Sequence, residues 1–350
     1  MLTSFLIIPA FAIQADSYIL LDENTGRVIE RKNENKRSLI ASTTKIMTAL
    51  IVCEQTNVLD RVRIPDEAVG VEGSSIYLKA GEILTVQELL YGLMLHSGND
   101  AAVALAIYCG GTVGGFAQLM NDKAHQLGLV NTHFSNPHGL DAPDHYSCAS
   151  DLAVLTAYAM KNPVFAKTVS TKTVTIQNRC LRNHNKLLWQ VQGADGVKTG
   201  FTKASGRILV SSAQRQGRRL ICVTIDDPND WQDHSKLLEK GFSLYSVCEI
   251  VKKDQFITTV EVAAGKSGTV QLLAADSFSY SVSESEKISV VPPPYEFVYA
   301  PVTEGAFAGY ANVLLDNCSV GKVALYYGQT VEQEKTEIPF WKKLLKGVTQ

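Results

Sequence analysis

The feature that most constrains this chain is a change of texture near Lys252-Lys253-Asp254. Ahead of it, apolar residues at helical spacing alternate with strand-like runs. After it come short alternating runs: Phe256 to Val262, Thr269 to Leu273, Phe278 to Val282, Ile288 to Val291, Ala311 to Leu315 and Lys322 to Tyr326. Turns such as Ala264-Gly265 and Pro292-Pro293-Pro294 separate them. Many short strands with Gly and Pro punctuation predict a small all-β domain. The expected division is an α+β domain over 16–250 and a small β-sandwich-like domain over 255–330.

Within the first segment, Tyr18 to Asp22 and Arg27-Val28-Ile29 flank a turn at Asn24-Thr25-Gly26 and predict a hairpin. Ser42 to Gln55 has Ile46, Ala49, Leu50 and Cys53 at helical spacing. Val86 to Leu95, Asp100 to Tyr108, Phe116 to Leu127 and Asp233 to Leu244 also predict helices. Gly110 to Gly115 reads as a helix-breaking loop. It lacks the Lys-Ser/Thr of a phosphate loop. Gly206 to Ser212 and Arg219 to Ile225 predict adjacent strands. The first segment therefore combines a sheet drawn from both of its ends with a helical middle.

The two ends raise separate expectations. Residues 1–15 include the short apolar run Ser4-Phe5-Leu6-Ile7-Ile8-Pro9-Ala10-Phe11-Ala12, ending in small residues. It is too short to span a bilayer and reads as a clipped secretory signal, with a buried first strand as the alternative. Residues 338–350 place Phe340, Trp341, Leu344, Leu345 and Val348 on one helical face and Lys342, Lys343 and Lys346 on the other. That pattern suits an amphipathic helix at a membrane surface; a tail helix packed on the β domain is the alternative.

A net charge of -2 offers no basic face for nucleic acid. The seven cysteines are widely spaced and form no C-x-x-C pair, so they are expected to be ordinary buried thiols. His133, His138 and His145, with Asp141 and Asp144, lack helical metal-ligand spacing, and Asn-Pro-His-Gly is turn chemistry, so no metal is expected.

Three short motifs carry the chemistry. Ser42-Thr43-Thr44-Lys45 puts a hydroxyl and an amine on one helical face. A serine is a poor nucleophile until a base takes its proton, and Lys45 can do so if nearby positive charge lowers its pKa. Ser97-Gly98-Asn99, between two helices, supplies a hydroxyl that can relay a proton and an amide that can orient a peptide. Lys198-Thr199-Gly200 supplies a charge, a hydroxyl and a backbone that can run close to a ligand. An extended segment there can pair with a peptide as an added strand. Taken singly, the motifs read as an N-cap serine, a capped loop and a turn beside a strand.

In this order they match the S-x-x-K, S-x-N, K-T-G set of serine penicillin-recognising enzymes. The chain resembles the low-molecular-mass serine D-alanyl-D-alanine carboxypeptidases, a penicillin-binding family. Ile40 to Ala49, Ser97 to Ala102, Asn136-Pro137-His138-Gly139-Leu140 and Asn183 to Leu188 carry the resemblance over nearly the whole chain. Leu39-Ile40 departs from it, where Pro is usual before Ala41.

The resemblance implies the penicillin-recognising serine-transferase fold and removal of the terminal D-alanine from peptidoglycan stem pentapeptides. Ser42 would be the nucleophile and Lys45 its base. Ser97 and Lys198 would complete the proton network, and Asn99 would hold the substrate backbone. Thr199 with Lys198 would bind the terminal carboxylate. The N–H groups of Ser42 and Phe201, beside Gly200, would form the oxyanion hole. β-Lactams would acylate Ser42, no cofactor is implied, and the enzyme would work outside the cytoplasmic membrane.

The rivals are a transpeptidase, an endopeptidase on cross-links, a β-lactamase and a non-catalytic β-lactam sensor. The interval from Asn99 to Lys198 contains no Glu, so the deacylating Glu of a class A lactamase has no candidate there.

Overall fold

The structure is a computed structural model and describes residues 12–335. It divides into two compact units, with the break between Leu244 and Tyr245. The first unit contains strands β1 (Ser17–Asp22), β2 (Val28–Lys32), β3 (Arg61–Arg63), β4 (Ile83–Thr85), β5 (Thr173–Ile176), β6 (Arg179–Arg182), β7 (Ala194–Thr202), β8 (Gly206–Arg215) and β9 (Arg218–Ile225). Its helices are α1 (Lys45–Gln55), α2 (Val86–Leu95), α3 (Asn99–Gly110), α4 (Val113–Gln126), α5 (Ala149–Ala159), α6 (Pro163–Ser170), α7 (Leu187–Gln190) and α8 (Asp230–Leu244).

The main sheet has the order β2-β1-β9-β8-β7, so both ends of the unit supply it. Side chains of a strand alternate between faces. Ile208 and Val210 of β8, with Ile221 and Val223 of β9, turn to one side and pack into the large core formed with α1 to α6. Leu209, Leu220 and Cys222 turn the other way, against Leu237 and Leu238 of α8. The sheet is therefore covered on both faces, which explains why its central strands are apolar throughout.

Local chemistry sets the helix starts. Thr85 caps α2 in a full capping box with Glu88. Asn162 caps α6 ahead of Pro163. The glycine run is shorter as a loop than its composition suggests. Among its residues, α3 reaches Gly110 and α4 begins at Val113, because the Thr112 hydroxyl accepts from Gly115 N at 2.9 Å and caps α4. Ser42 stands in a 3-10 turn, Ala41–Thr44, rather than in the α-helix expected from Ser42 onward. Ile13 and Ala15, assigned to the leader by sequence, pack against the α8 side of the sheet, and Gln14 N donates to Asp233. The rest of the apolar run and the tail pattern over 340–348 lie outside the described residues.

The second unit holds β10 (Ser246–Val251), β11 (Phe256–Ala263), β12 (Thr269–Ala274), β13 (Phe278–Val282), β14 (Ile288–Val291), β15 (Phe297–Tyr299), β16 (Phe307–Leu315) and β17 (Cys318–Tyr327). One sheet has the order β14-β16-β17-β12-β11-β15, and β10 pairs with β13. Val251 and Phe278 of that pair pack with Ala274, Val313 and Val323 of the larger sheet. The boundary expected at 250–255 is corrected to 244/245, since β10 pairs within the second unit. Cys148 and Cys222 are buried, but Cys180 and Cys318 are exposed, so burial does not account for every thiol.

Candidate active site

The turn bearing Ser42 is held by its own hydroxyls. Thr43 Oγ1 donates to Ile40 O at 2.5 Å and Thr44 Oγ1 to Ala41 O at 2.8 Å. Ala41 adopts φ 44, a region costly for a residue with a Cβ. That strained residue sets Ser42 immediately ahead of α1, whose first residue is Lys45.

Lys45 is fully buried. Its Nζ donates to Ser42 Oγ at 3.0 Å, to Asn99 Oδ1 at 2.7 Å and to the His138 carbonyl at 2.6 Å. Burial, and next the charge of Lys198, hold its ammonium well below the usual lysine range; Asp100 opposes this.

Asn99 opens α3 and is buried. Its Oδ1 accepts from Lys45 and its Nδ2 donates to Glu72 O. Both ends of the amide are thus engaged by the protein, and Asn99 positions Lys45. One Nδ2 hydrogen remains and Asn99 also lines a space with Ser42, which leaves room for the substrate contact that the resemblance implies. Ser97 takes φ 64 in the corner between α2 and α3, and its side chain lines a groove with Ser42. Asp100, given no role from sequence, is buried and gathers Ser75 Oγ, Ile76 N and Leu78 N on its carboxylate. It pins the loop that faces Ser42.

Lys198, Thr199 and Gly200 lie on β7, the edge strand of the sheet. Lys198 is buried, its Nζ donates to Thr199 O at 2.7 Å, and burial lowers its pKa to about 7. A Cβ on Gly200 would lie 3.2 Å from Ile40 O and 3.3 Å from Ser42 N, tight contacts that glycine avoids where β7 runs beside the nucleophile. Asn185 Nδ2 donates to Gly196 O at 2.7 Å and steadies β7 from the side. Thr199, Gly200 and Phe201 line a groove of about 300 Å³ with Ser42 and Ser97. All the residues singled out from the three motifs are therefore brought together.

The fourth wall is the Asn136-Pro137-His138-Gly139-Leu140 turn, noted in the sequence without a role. Besides the His138 carbonyl on Lys45, Thr48 Oγ1 donates to Pro137 O at 2.6 Å. Gly139 has φ 90, and a Cβ there would fall 1.8 Å from Ala41 O. His145 Nδ1 accepts from Ser135 N, which leaves Nε2–H to donate to Thr44 Oγ1 at 2.7 Å. Burial is the largest cause holding both His138 and His145 to about 4, so they are neutral near pH 7. Among the described residues no three His, Cys, Asp or Glu side chains form a group able to hold a metal ion.

The family described as D-alanyl-D-alanine carboxypeptidase matches residues 6–229, and the C-terminal domain of penicillin-binding protein 5 matches residues 245–333. This chain belongs to the D-alanyl-D-alanine carboxypeptidase family. It is an enzyme of that hydrolase class, with the penicillin-binding fold followed by an all-β domain. The carboxypeptidase DacF of Bacillus subtilis strain 168 is 34% identical over 85% of this chain and 81% of its own. The crystal structure of penicillin-binding protein 5 from Haemophilus influenzae superposes with a TM-score of 0.80 at 30% identity, over 92% of this chain and 98% of that one. The Streptomyces K15 DD-transpeptidase, at TM-score 0.64 and 35% identity, covers 67% of this carboxypeptidase and 98% of its own chain.

Proposed function

We propose that this carboxypeptidase removes the terminal D-alanine of peptidoglycan stem pentapeptides through an acyl-enzyme on Ser42. The observation that carries the assignment is the buried Lys45 amine 3.0 Å from Ser42 Oγ. Once it loses a proton, Lys45 keeps two N–H groups for Asn99 Oδ1 and the His138 carbonyl. Its lone pair then faces Ser42 Oγ. A neutral lysine is thus satisfied in place and poised to take the serine proton.

The substrate adds to the open edge of β7, with its terminal carboxylate at Thr199 and Lys198. Ser42 Oγ attacks the carbonyl between the two D-alanines. The oxyanion forms against the N–H groups of Ser42 and Phe201, each worth about 3 kcal/mol to the transition state. Ser97 and Lys198 pass the proton to the departing amine, and water releases the acyl group. A β-lactam enters by the same route and acylates Ser42.

Two features support work at the extracytoplasmic face of the cytoplasmic membrane: the leader-like run near the N-terminus and the two-faced sequence pattern of 338–350. Among the described residues no single helix is long and apolar enough to cross a membrane.

The test is D-alanine release from a diacyl-Lys-D-Ala-D-Ala peptide, with Ser42→Ala as control. Release by the wild type alone is expected. Rapid β-lactam turnover without release would reject the assignment in favour of a lactamase.

A further inference from the structure

The Ala41–Ser42 peptide is trans, so its carbonyl and its N–H leave one rigid plane in opposite directions. The two ends face different walls. A Cβ on Gly139 would fall 1.8 Å from Ala41 O, whereas a Cβ on Gly200 of β7 would lie 3.3 Å from Ser42 N. The carbonyl therefore turns toward the Asn136 to Leu140 turn, and the N–H side toward the groove along β7. Whatever fixes the carbonyl also aims the N–H.

The carbonyl needs fixing. Ala41 sits at φ 44, a conformation that a residue with a Cβ leaves unless its surroundings hold it there. A buried chain of hydrogen bonds ends on this oxygen. Ser135 N donates to His145 Nδ1 at 3.0 Å, His145 Nε2 lies 2.7 Å from Thr44 Oγ1, and Thr44 Oγ1 donates to Ala41 O at 2.8 Å. His145 and Thr44 are fully buried, so solvent does not compete with these bonds. Phe134 meets the His145 ring edge-on, with centroids 5.9 Å apart, and fixes its orientation.

The chain also has a direction. A backbone N–H can only donate, so His145 Nδ1 keeps its lone pair and the proton of the neutral ring sits on Nε2. That Nε2–H occupies the acceptor side of the Thr44 hydroxyl. The single hydroxyl proton is then left for Ala41 O. In the other tautomer Thr44 would turn its proton to Nε2 and release the carbonyl. Neither His145 nor Thr44 lines the groove at Ser42, so both act through the Ala41–Ser42 peptide and not on substrate.

We propose that His145 and Thr44 are positioning residues that aim the Ser42 N–H at the developing oxyanion, with Ser135 N selecting the tautomer that does so. The inference rests on the acyl-enzyme reading under Proposed function, which places the oxyanion against that N–H. Formation and hydrolysis of the acyl-enzyme both pass through a tetrahedral oxyanion, so kcat reads the donor whichever step limits. Complete loss of such a donor costs about a hundred- to a thousandfold, and a misaimed one is expected to cost about tenfold.

The test follows D-alanine release from diacyl-Lys-D-Ala-D-Ala by the full chain. Thr44→Val removes the hydroxyl and is expected to lower kcat about tenfold with KM within about twofold of wild type. Thr44→Ser restores the hydroxyl and should return kcat to within about threefold. His145→Asn keeps an acceptor for Ser135 N but falls short of Thr44, and should behave like Thr44→Val. His145→Gln reaches Thr44 with an N–H and should recover most of the loss. An acyl-aminoalkyl boronic acid, whose adduct with Ser42 places an oxygen at the oxyanion position, should bind more weakly in proportion to kcat. Asn162→Ala, which removes the cap of α6, measures how far kcat moves with stability alone, and urea midpoints are taken for every variant.

Wild-type kcat in Thr44→Val, equal losses in His145→Asn and His145→Gln, a loss confined to KM, or unchanged boronate affinity would overturn the proposal. So would failure of both Thr44→Val and His145→Asn to fold, which would make the pair purely structural. Absence of D-alanine release by the wild type would instead overturn the parent assignment.

Discussion

Lys45 and Lys198 are two buried amines close enough that the charge of one disfavours the charge of the other. Burial is the largest cause for Lys45 and the cause for Lys198; it leaves Lys45 well below its usual range and Lys198 at about 7. Both amines therefore lose their protons more readily than a free lysine does.

This fixes the pH profile. Below its depressed pKa, Lys45 holds its proton and cannot accept that of Ser42, so kcat/KM rises as pH climbs through that value. Above about 7, free Lys198 loses the charge that attracts the substrate carboxylate, so kcat/KM falls. An alkaline limb near 7 is expected. Lys198→Arg, which keeps its charge, should move that limb out of range; a limb unchanged in that variant would remove Lys198 from the assignment.

Lys45→Arg keeps a cation near Ser42 but supplies no base. Acylation should slow by roughly a hundred- to ten-thousand-fold, measured as the rate of covalent β-lactam labelling on the intact chain. Labelling at the wild-type rate would show that the serine proton leaves by another route.

Gly139→Ala should destabilise the first unit by about 2–4 kcal/mol, because the new Cβ falls on Ala41 O at a positive φ. Gly114→Ala is the counterpart. Gly114 lies within α4 and a Cβ there meets nothing within 4 Å, so about 0.5–1 kcal/mol of stabilisation is expected. Urea midpoints of the two variants should move in opposite directions.

Asp100→Ala leaves Ile76 N, Leu78 N and Ser75 Oγ without their acceptor. A loss of about 3 kcal/mol is expected from so many buried donors. Because the freed loop faces Ser42, KM for the D-Ala-D-Ala peptide should rise as well. Denaturation and steady-state kinetics on the same sample test the two effects together.

Much of the site was readable from side-chain identity. Ser42, Lys45, Ser97 and Lys198 advertise their chemistry by residue type and order. The His138 contact does not, because a backbone carbonyl leaves no mark on residue type; Gly139 was its only trace. Asp100 was visible as the residue after Asn99, yet its partners lie more than twenty positions upstream. Among the elements, α5 and α6 went unassigned although Asn162-Pro163 is a helix-start signature. Strand β10 follows α8 directly, so no turn residues marked the true boundary between the units.

Among the described residues, the sheet that carries Lys198 and Thr199 ends on β7 with no strand beyond it. A row of unmatched backbone groups at the catalytic centre admits any extended chain, whereas a folded segment has already spent its own. Conformation thus screens substrates before any side chain does, and slack, unstructured wall peptides enter where compact proteins are turned away. The same openness sets a ceiling on crowding: at high concentration two such edges can dock on each other, and an occupied groove should keep the molecules apart.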